Sequence, residues 1–381
     1  MQNNHYDVIV IGVGSMGSAT CWQLARQGAK VLGIEQFDIP HERGSYGGQC
    51  RIIRKAYFEH PDYVPLLLRA YQNWHQLEQA TSAQIYHQTG IVYHGTSDDV
   101  VITGSKMAAN LYDIPFQKRD KIDFPQFNTP GDFDTYFEPE SGFLESEKAV
   151  TLYTQASIQL GAEIHTREKL LTWTAEKDRV VVQTDKGTYV AAKLIISAGA
   201  WAEKAMPTLK ATLKVKQQTT AWVNPKVWKD FEMGNFPCWF VSDSELGMFY
   251  GFPILDVAKF GGNIGFKMGL HVPGSDLDPD NLTRNSTETD EKIITDFLKK
   301  YMPETKDALL SVKSCLYTYS EDEHFVIDFL PETHQNVIFA CGFSGHGFKF
   351  TSVVGEILSD MALKGKTDLP ADFLGLKRFL V

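Results

Sequence analysis

Tyr6-Asp-Val-Ile-Val-Ile-Gly12 runs directly into Gly12-Val-Gly14-Ser-Met-Gly17, and the reading of the chain starts there. The apolar run has strand character. Beyond it Ala19, Leu24 and Ala25 recur at helical spacing, Gly28 stops the helix, and Val31-Leu-Gly-Ile34 reads as a second strand ending at Glu35. Strand, glycine turn, helix, strand and acid in this order make a dinucleotide-binding βαβ unit. Gly12 permits the tight turn. Gly14 lets backbone approach a pyrophosphate at the positive end of the helix, where Ser15 and Met16 begin the first turn. Gly17 lets helix and strand pack closely. Glu35 can accept both ribose hydroxyls of an adenosine. The motif alone does not separate NAD from FAD.

Working outward, 381 residues leave room for two domains and a large core. A hydrophobic content of 43% and a charged content of 22% are those of a soluble globular protein. The formal charge of −10 argues against a nucleic-acid partner, because phosphate binding needs a basic surface. No apolar run is long enough to span a bilayer, and no signal-peptide pattern appears, so no membrane partner is expected. Cys21, Cys50, Cys238, Cys315 and Cys341 are odd in number and lack CxxC spacing. They argue against a disulfide framework or metal site and for a reducing cytoplasm.

Past Glu35, the glycines of Gly44-Ser45-Tyr-Gly47-Gly48 suit close approach to a ligand. Arg51 and Arg54 lie three apart and would share a face on a helix; spacing alone leaves a solvated basic pair equally open. Asp62 to Glu78 reads as an amphipathic helix, Gln84 to Gly95 as a strand pair, and Lys118 to Pro139 as an irregular surface excursion. Arg179–Thr184 and Thr188–Ser197 form a hairpin whose second arm ends at Ala198-Gly199-Ala-Trp201, a turn able to meet a dinucleotide. From Val215 to Phe266, short runs rich in Trp and Phe suggest an antiparallel sheet in a second domain. Lys267 and His271 fall at its end, on one strand face. Thr287 and Asp290 fit a capping box. Val337–Cys341, the turn Gly342-Phe-Ser-Gly345-His346-Gly347-Phe348-Lys349 and a helix from Thr351 to Lys364 make a second cofactor cradle.

Taken together, these blocks resemble the monomeric sarcosine oxidase and N-methyltryptophan oxidase family of FAD-dependent amine oxidases. The likeness rests on the Gly12 motif, Pro40-His41-x-x-Gly44-Ser45, Arg51-Ile-Ile-Arg54, Tyr63-Val-Pro-Leu66, Tyr250-Gly-Phe-Pro253, Gly265-Phe-Lys267-x-Gly-x-His271, Cys315-x-Tyr317, the Asp322–Asp328 run and Gly342–Lys349. It implies an α/β (α+β overall) chain. A glutathione-reductase-type Rossmann FAD-binding domain (1–84, 145–214 and 324–381) would accompany a mixed, largely antiparallel substrate domain (85–144 and 215–323). It implies a monomer acting on a small amino-acid substrate and O2, releasing an imine and hydrogen peroxide.

By position, Cys315 would carry the flavin as an 8α-S-cysteinyl thioether. Arg54 and Lys349 would clamp the substrate carboxylate, for which a guanidinium fork is suited. Lys267 would stabilise the anion formed when oxygen takes its first electron. Arg51 would stand beside the flavin ring, and Tyr250, His271 and Tyr317 would line the substrate pocket. Two departures stand out: Tyr46-Gly47-Gly48-Gln49-Cys50 replaces His-His-Gly-Asp-Thr, and the segment 254–260 is longer than in the sarcosine enzymes. With Gly47 removing bulk, they lead to the expectation of a substrate larger than sarcosine. A flavin dehydrogenase or primary-amino-acid oxidase and a non-catalytic nucleotide-binding regulator are the competing readings.

Overall fold

The computed structural model describes residues 5–209, 213–272, 274–281 and 286–379. Its first sheet is built on the strand His5–Ile11. That strand lies parallel between Val31–Ile34 and Thr188–Ile196. Glu163–His165 extends the sheet beyond Val31–Ile34, and Val337–Cys341 joins the far half of Thr188–Ile196, both in parallel. Alternation along His5–Ile11 explains its central place. Val8 and Val10 face the core under the helices Ser15–Arg26, Tyr63–Thr81, Ser146–Gln159 and Thr351–Lys364, while Ile9 and Ile11 enter a second core on the opposite face. The expected hairpin forms between Val180–Thr184 and Thr188–Ile196 and gains a third strand, Leu170–Ala175, that sequence reading missed.

The second sheet is mixed and largely antiparallel. Its order is Leu309–Ser320, Leu213–Val223, Phe266–Leu270, Gly247–Ile254, Cys238–Asp243, Ile91–Thr96, Phe133–Glu138 and Gln117–Lys118. Among the described residues, only the strands Cys238–Asp243 and Ile91–Thr96 pair in parallel within it. The helix Glu288–Tyr301, with the expected capping box at Thr287 and Asp290, packs its apolar stripe on one face. The other face is left for the site.

Three sequence expectations change. The stretch 118–139 is not a surface excursion throughout, because Phe133–Glu138 pairs on both sides within the sheet. The strands Tyr86–Gln88 and Ile91–Thr96 do not pair with each other; the first pairs with Gly142–Glu145, the second with Phe133–Glu138 and Cys238–Asp243. Arg51 lies in the strand Cys50–Ile53 and Arg54 just beyond it, so they share no helical face.

Candidate active site

A cavity of about 470 Å³ runs along the Gly12 turn towards the second sheet. Gly12, Gly14, Ser15, Met16, Glu35, Gly44, Ser45, Arg51, Ala198, Gly199, Trp201, Tyr317, Gly342, Gly345, Gly347 and Phe348 all line it. The turn is built from backbone. Gly12 has φ +88°, and a Cβ there would lie 2.6 Å from the Ser197 carbonyl oxygen. Gly17 faces away from the cavity, where a Cβ would overlap the Gly12 carbonyl. Glu35 accepts the Val13 and Phe37 backbone N–H groups, each at 3.0 Å, and the His41 ring stands 3.6 Å from its carboxylate. Burial, opposed by those N–H groups, lifts its pKa to about 7.

These surroundings fit a flavin dinucleotide. Gly12 and Gly14 put bare backbone on the cavity wall, and Thr318, also on that wall, carries a buried hydroxyl with no hydrogen-bond partner among the described residues. Sequence reading passed over Thr318, and also Trp173 and Lys169 on the cavity wall.

Beyond Arg51 the site is made of side chains. Arg51 donates to the carbonyls of Cys50, Ser45 and Gly47 at 2.8, 2.7 and 2.6 Å. Lys267, from the strand Phe266–Leu270, is almost fully buried and donates to the carbonyls of Gly48 and Cys50. Burial, reinforced by the Arg51 charge, lowers its pKa to about 8. The Cys315 thiol is within electrostatic reach of Lys267 and Tyr250. The hydroxyls of Tyr250 and Tyr317 are hydrogen-bonded, and burial pushes the first up to about 12 and the second further. The His271 ring stands 5.6 Å from Tyr317, and burial holds it down at about 4, so it is neutral at pH 7.

Arg54 and Lys349 form a second cationic cluster. Arg54 is buried, stacks on Tyr57 and Phe58 at 4.3 and 4.2 Å, and forks onto the Glu59 carboxylate at 2.7 and 2.5 Å. Burial alone would raise Glu59, but the charges of Arg54, His346's ring and Lys349 outweigh it and hold the carboxyl at about 2. Lys349 donates to the His346 carbonyl at 2.7 Å; burial and Arg54 bring it down to about 7. Arg54 Nε is buried with no partner among the described residues, one N–H of the guanidinium left unsatisfied.

Glu59 carried no signal beyond standing five residues after Arg54. His346 does not line the cavity: its ring lies 2.6 Å from the Tyr57 hydroxyl and 3.0 Å from the Glu323 carbonyl, among aromatic rings. Gly47 does not border the Arg54–Lys349 cluster either, since a Cβ on it would meet the Glu42 backbone at 3.1 Å. The longer segment packs Phe260 against His87 and Phe143, with ring centroids at 5.0 and 6.0 Å. Neither departure therefore borders Arg54 and Lys349.

The glycine-turn cradle, with Arg51 and Tyr317 on its wall, suits a flavin-dependent oxidoreductase; Arg54, Tyr250, Lys267, His271, Cys315 and Lys349 do not line the cavity. The match to the family described as FAD dependent oxidoreductase covers residues 7–361, and the chain belongs to that family. It is 38% identical to the monomeric sarcosine oxidase of Bacillus sp. (strain B-0618), covering 99% of this chain and 97% of that protein. It is 32% identical to the N-methyl-L-tryptophan oxidase of Yersinia pestis (strain Pestoides F), covering 98% and 99%. In fold it resembles the open form of NikD, an unusual amino acid oxidase essential for nikkomycin biosynthesis, with a TM-score of 0.84 at 22% identity and 97% of each chain covered. No helix among the described residues is long and apolar enough to cross a membrane.

Proposed function

We propose that the chain oxidises a secondary N-methyl or N-alkyl amino acid with O2, giving an imine that hydrolyses and hydrogen peroxide. The observation that carries this reading is the buried Arg54–Lys349 pair with an unpartnered Arg54 Nε. A desolvated cationic pair that keeps a free donor suits a substrate carboxylate. With one carboxylate bound, the two cations face two anions, Glu59 and the substrate. Neutral His271 and the two buried tyrosines leave the amine end of the substrate without a competing charge.

FAD, when bound, would supply the two-electron acceptor for the amine and the electron donor for oxygen. Gly12, Gly14, Ser15 and Met16 would hold its pyrophosphate, Glu35 its ribose, and Gly44, Ser45, Ala198, Gly199, Trp201 and the Gly342–Phe348 turn its remaining length. Arg51 would stand at the ring. Lys267 supplies the fixed cation where negative charge develops on oxygen. Cys315 is the thiol for a covalent tether. The first sheet and its helices serve as the cofactor domain and the second sheet as the substrate domain, in a cytoplasmic monomer.

Anaerobic addition of sarcosine should bleach the flavin, and air should restore it with one peroxide per turnover. Bleaching without peroxide would turn the reading into a dehydrogenase; no bleaching by any N-alkyl amino acid would end it. Acid precipitation should leave the yellow colour in the pellet for the wild type and in the supernatant for Cys315→Ser. Colour in the supernatant for both would remove the tether.

A further inference from the structure

Gln49 stands between the two carbonyls that hold Lys267, those of Gly48 at 2.5 Å and Cys50 at 3.0 Å. An ammonium has three N–H donors, so one is left for the space beyond. The direction of both carbonyls depends on the backbone of Gln49, a non-glycine residue at φ +74°. That conformation is costly and persists only where its surroundings enforce it. Gly48 N–H donates to Glu147 at 3.0 Å, and the Gln49 carbonyl accepts from Ser146 N–H at 3.0 Å. The Gln49 side-chain amide then reaches across to the Gly261 carbonyl at 2.7 Å. Gly261 ends the short helix Val257–Phe260, which Asp256 caps. Next to it Gly262 has φ +83°, and a Cβ there would stand 2.7 Å from the Gln49 amide carbon. The stretches 46–50 and 254–260, where this chain departs from the sarcosine enzymes, therefore meet in one clasp.

We propose that Gln49 is a positioning residue for Lys267: by gripping Gly261 it pins the turn, aims the carbonyls of Gly48 and Cys50 at the ammonium, and leaves the third N–H facing the reacting oxygen. The inference rests on the reading of Lys267 as the cation that assists oxygen.

The test uses the holoenzymes of Gln49→Ala, Gln49→Gly and Lys267→Met. Each is reduced with dithionite and mixed with oxygenated buffer, and each is separately reduced by sarcosine without air. Both Gln49 variants should reoxidise roughly 3- to 10-fold more slowly, the worth of one hydrogen bond, with sarcosine reduction unchanged. Both should also show faster amide hydrogen exchange over 257–264, a readout independent of turnover. Glycine relieves the backbone cost, so wild-type behaviour of Gln49→Gly would overturn the clasp. Wild-type reoxidation and exchange in Gln49→Ala beside a slow Lys267→Met would overturn the clasp and spare the reading of Lys267. Wild-type reoxidation in Lys267→Met would overturn both.

Discussion

Around Gly12 the cavity wall is rich in glycine backbone, drawn from residues 11–16, 197–201 and 342–348; Arg54 and Lys267 are instead buried cations, supplied by segments more than 200 residues apart. The first region demands small residues and tolerates no bulk. The second demands charge and must neutralise it as it is buried, with carbonyls for Lys267 and a carboxylate for Arg54. Damage should therefore differ in kind: loss of cofactor at one end, loss of stability or of one half-reaction at the other.

The largest effect is expected at Gly17. Valine there would drive its Cβ into the Gly12 carbonyl and displace the turn itself. Gly17→Val should purify without flavin, as judged by absorbance per chain. A fully yellow Gly17→Val protein would break the comparison at its backbone end.

Arg54 comes next. Arg54→Met leaves the Glu59 carboxylate unpaired beside Lys349, at a cost of about 3–5 kcal/mol in chemical denaturation. Arg54→Met with Glu59→Gln should recover much of that loss, while a raised KM for amino acids persists in both. The pH dependence has a definite sign. Glu59 is held at about 2 in the folded chain, below its value of about 4.3 when unfolded. Its contribution is complete above the unfolded value and is lost as pH falls from there towards 2. Glu59→Gln should flatten stability over that window. An unchanged acid limb would show that the ion pair does not stabilise the fold.

The same contrast explains what was legible in the sequence. The βαβ unit was readable because its glycines, apolar alternation and acid act within thirty-five residues, and the hairpin and capping box are equally local. Phe133–Glu138 was not, because Asp134 and the prolines around it masked an alternation that only pairing on both sides reveals. Lys267, Arg54 and Lys349 were found through the resemblance rather than their spacing. Nothing local marks a lysine as buried when its acceptors lie 217 and 219 residues away. Glu59 and Thr318 were missed for a related reason. One is recognisable by the charge it neutralises and the other by the partner it lacks, and both are tertiary facts.

Lys267→Met should sharpen the comparison within the cationic region. Reoxidation should slow on the order of 10²-fold, as for loss of one donor to a developing anion, with reduction nearly unchanged. In the wild type, the ammonium is lost as pH rises through about 8, so the oxygen half-reaction should fall above that value. Amino-acid binding should weaken earlier, as Lys349 loses its proton near 7. Stopped-flow profiles of the two half-reactions should therefore break at different pH. A shared break, or equal slowing of both steps in Lys267→Met, would merge the two cationic clusters into one functional unit.

The smallest effect is expected at Gly47, a glycine beside the cradle but outside its lining. Its missing side chain points to the Glu42 backbone, where a Cβ would sit 3.1 Å from the carbonyl oxygen and 3.2 Å from Cα. That is tight but short of overlap, so a shift of a few tenths of an ångström should admit alanine at a cost within about 1 kcal/mol. Because Gly47 does not face Arg54 or Lys349, Gly47→Ala should leave the ratio of kcat/KM for sarcosine to that for N-ethylglycine unchanged. A ratio that shifts towards sarcosine would place Gly47 at the substrate and support a pocket larger than sarcosine needs. A ratio that holds while the melting temperature falls slightly would mark this glycine as a packing residue, unlike Gly12 and Gly17, whose missing side chains make the cradle possible.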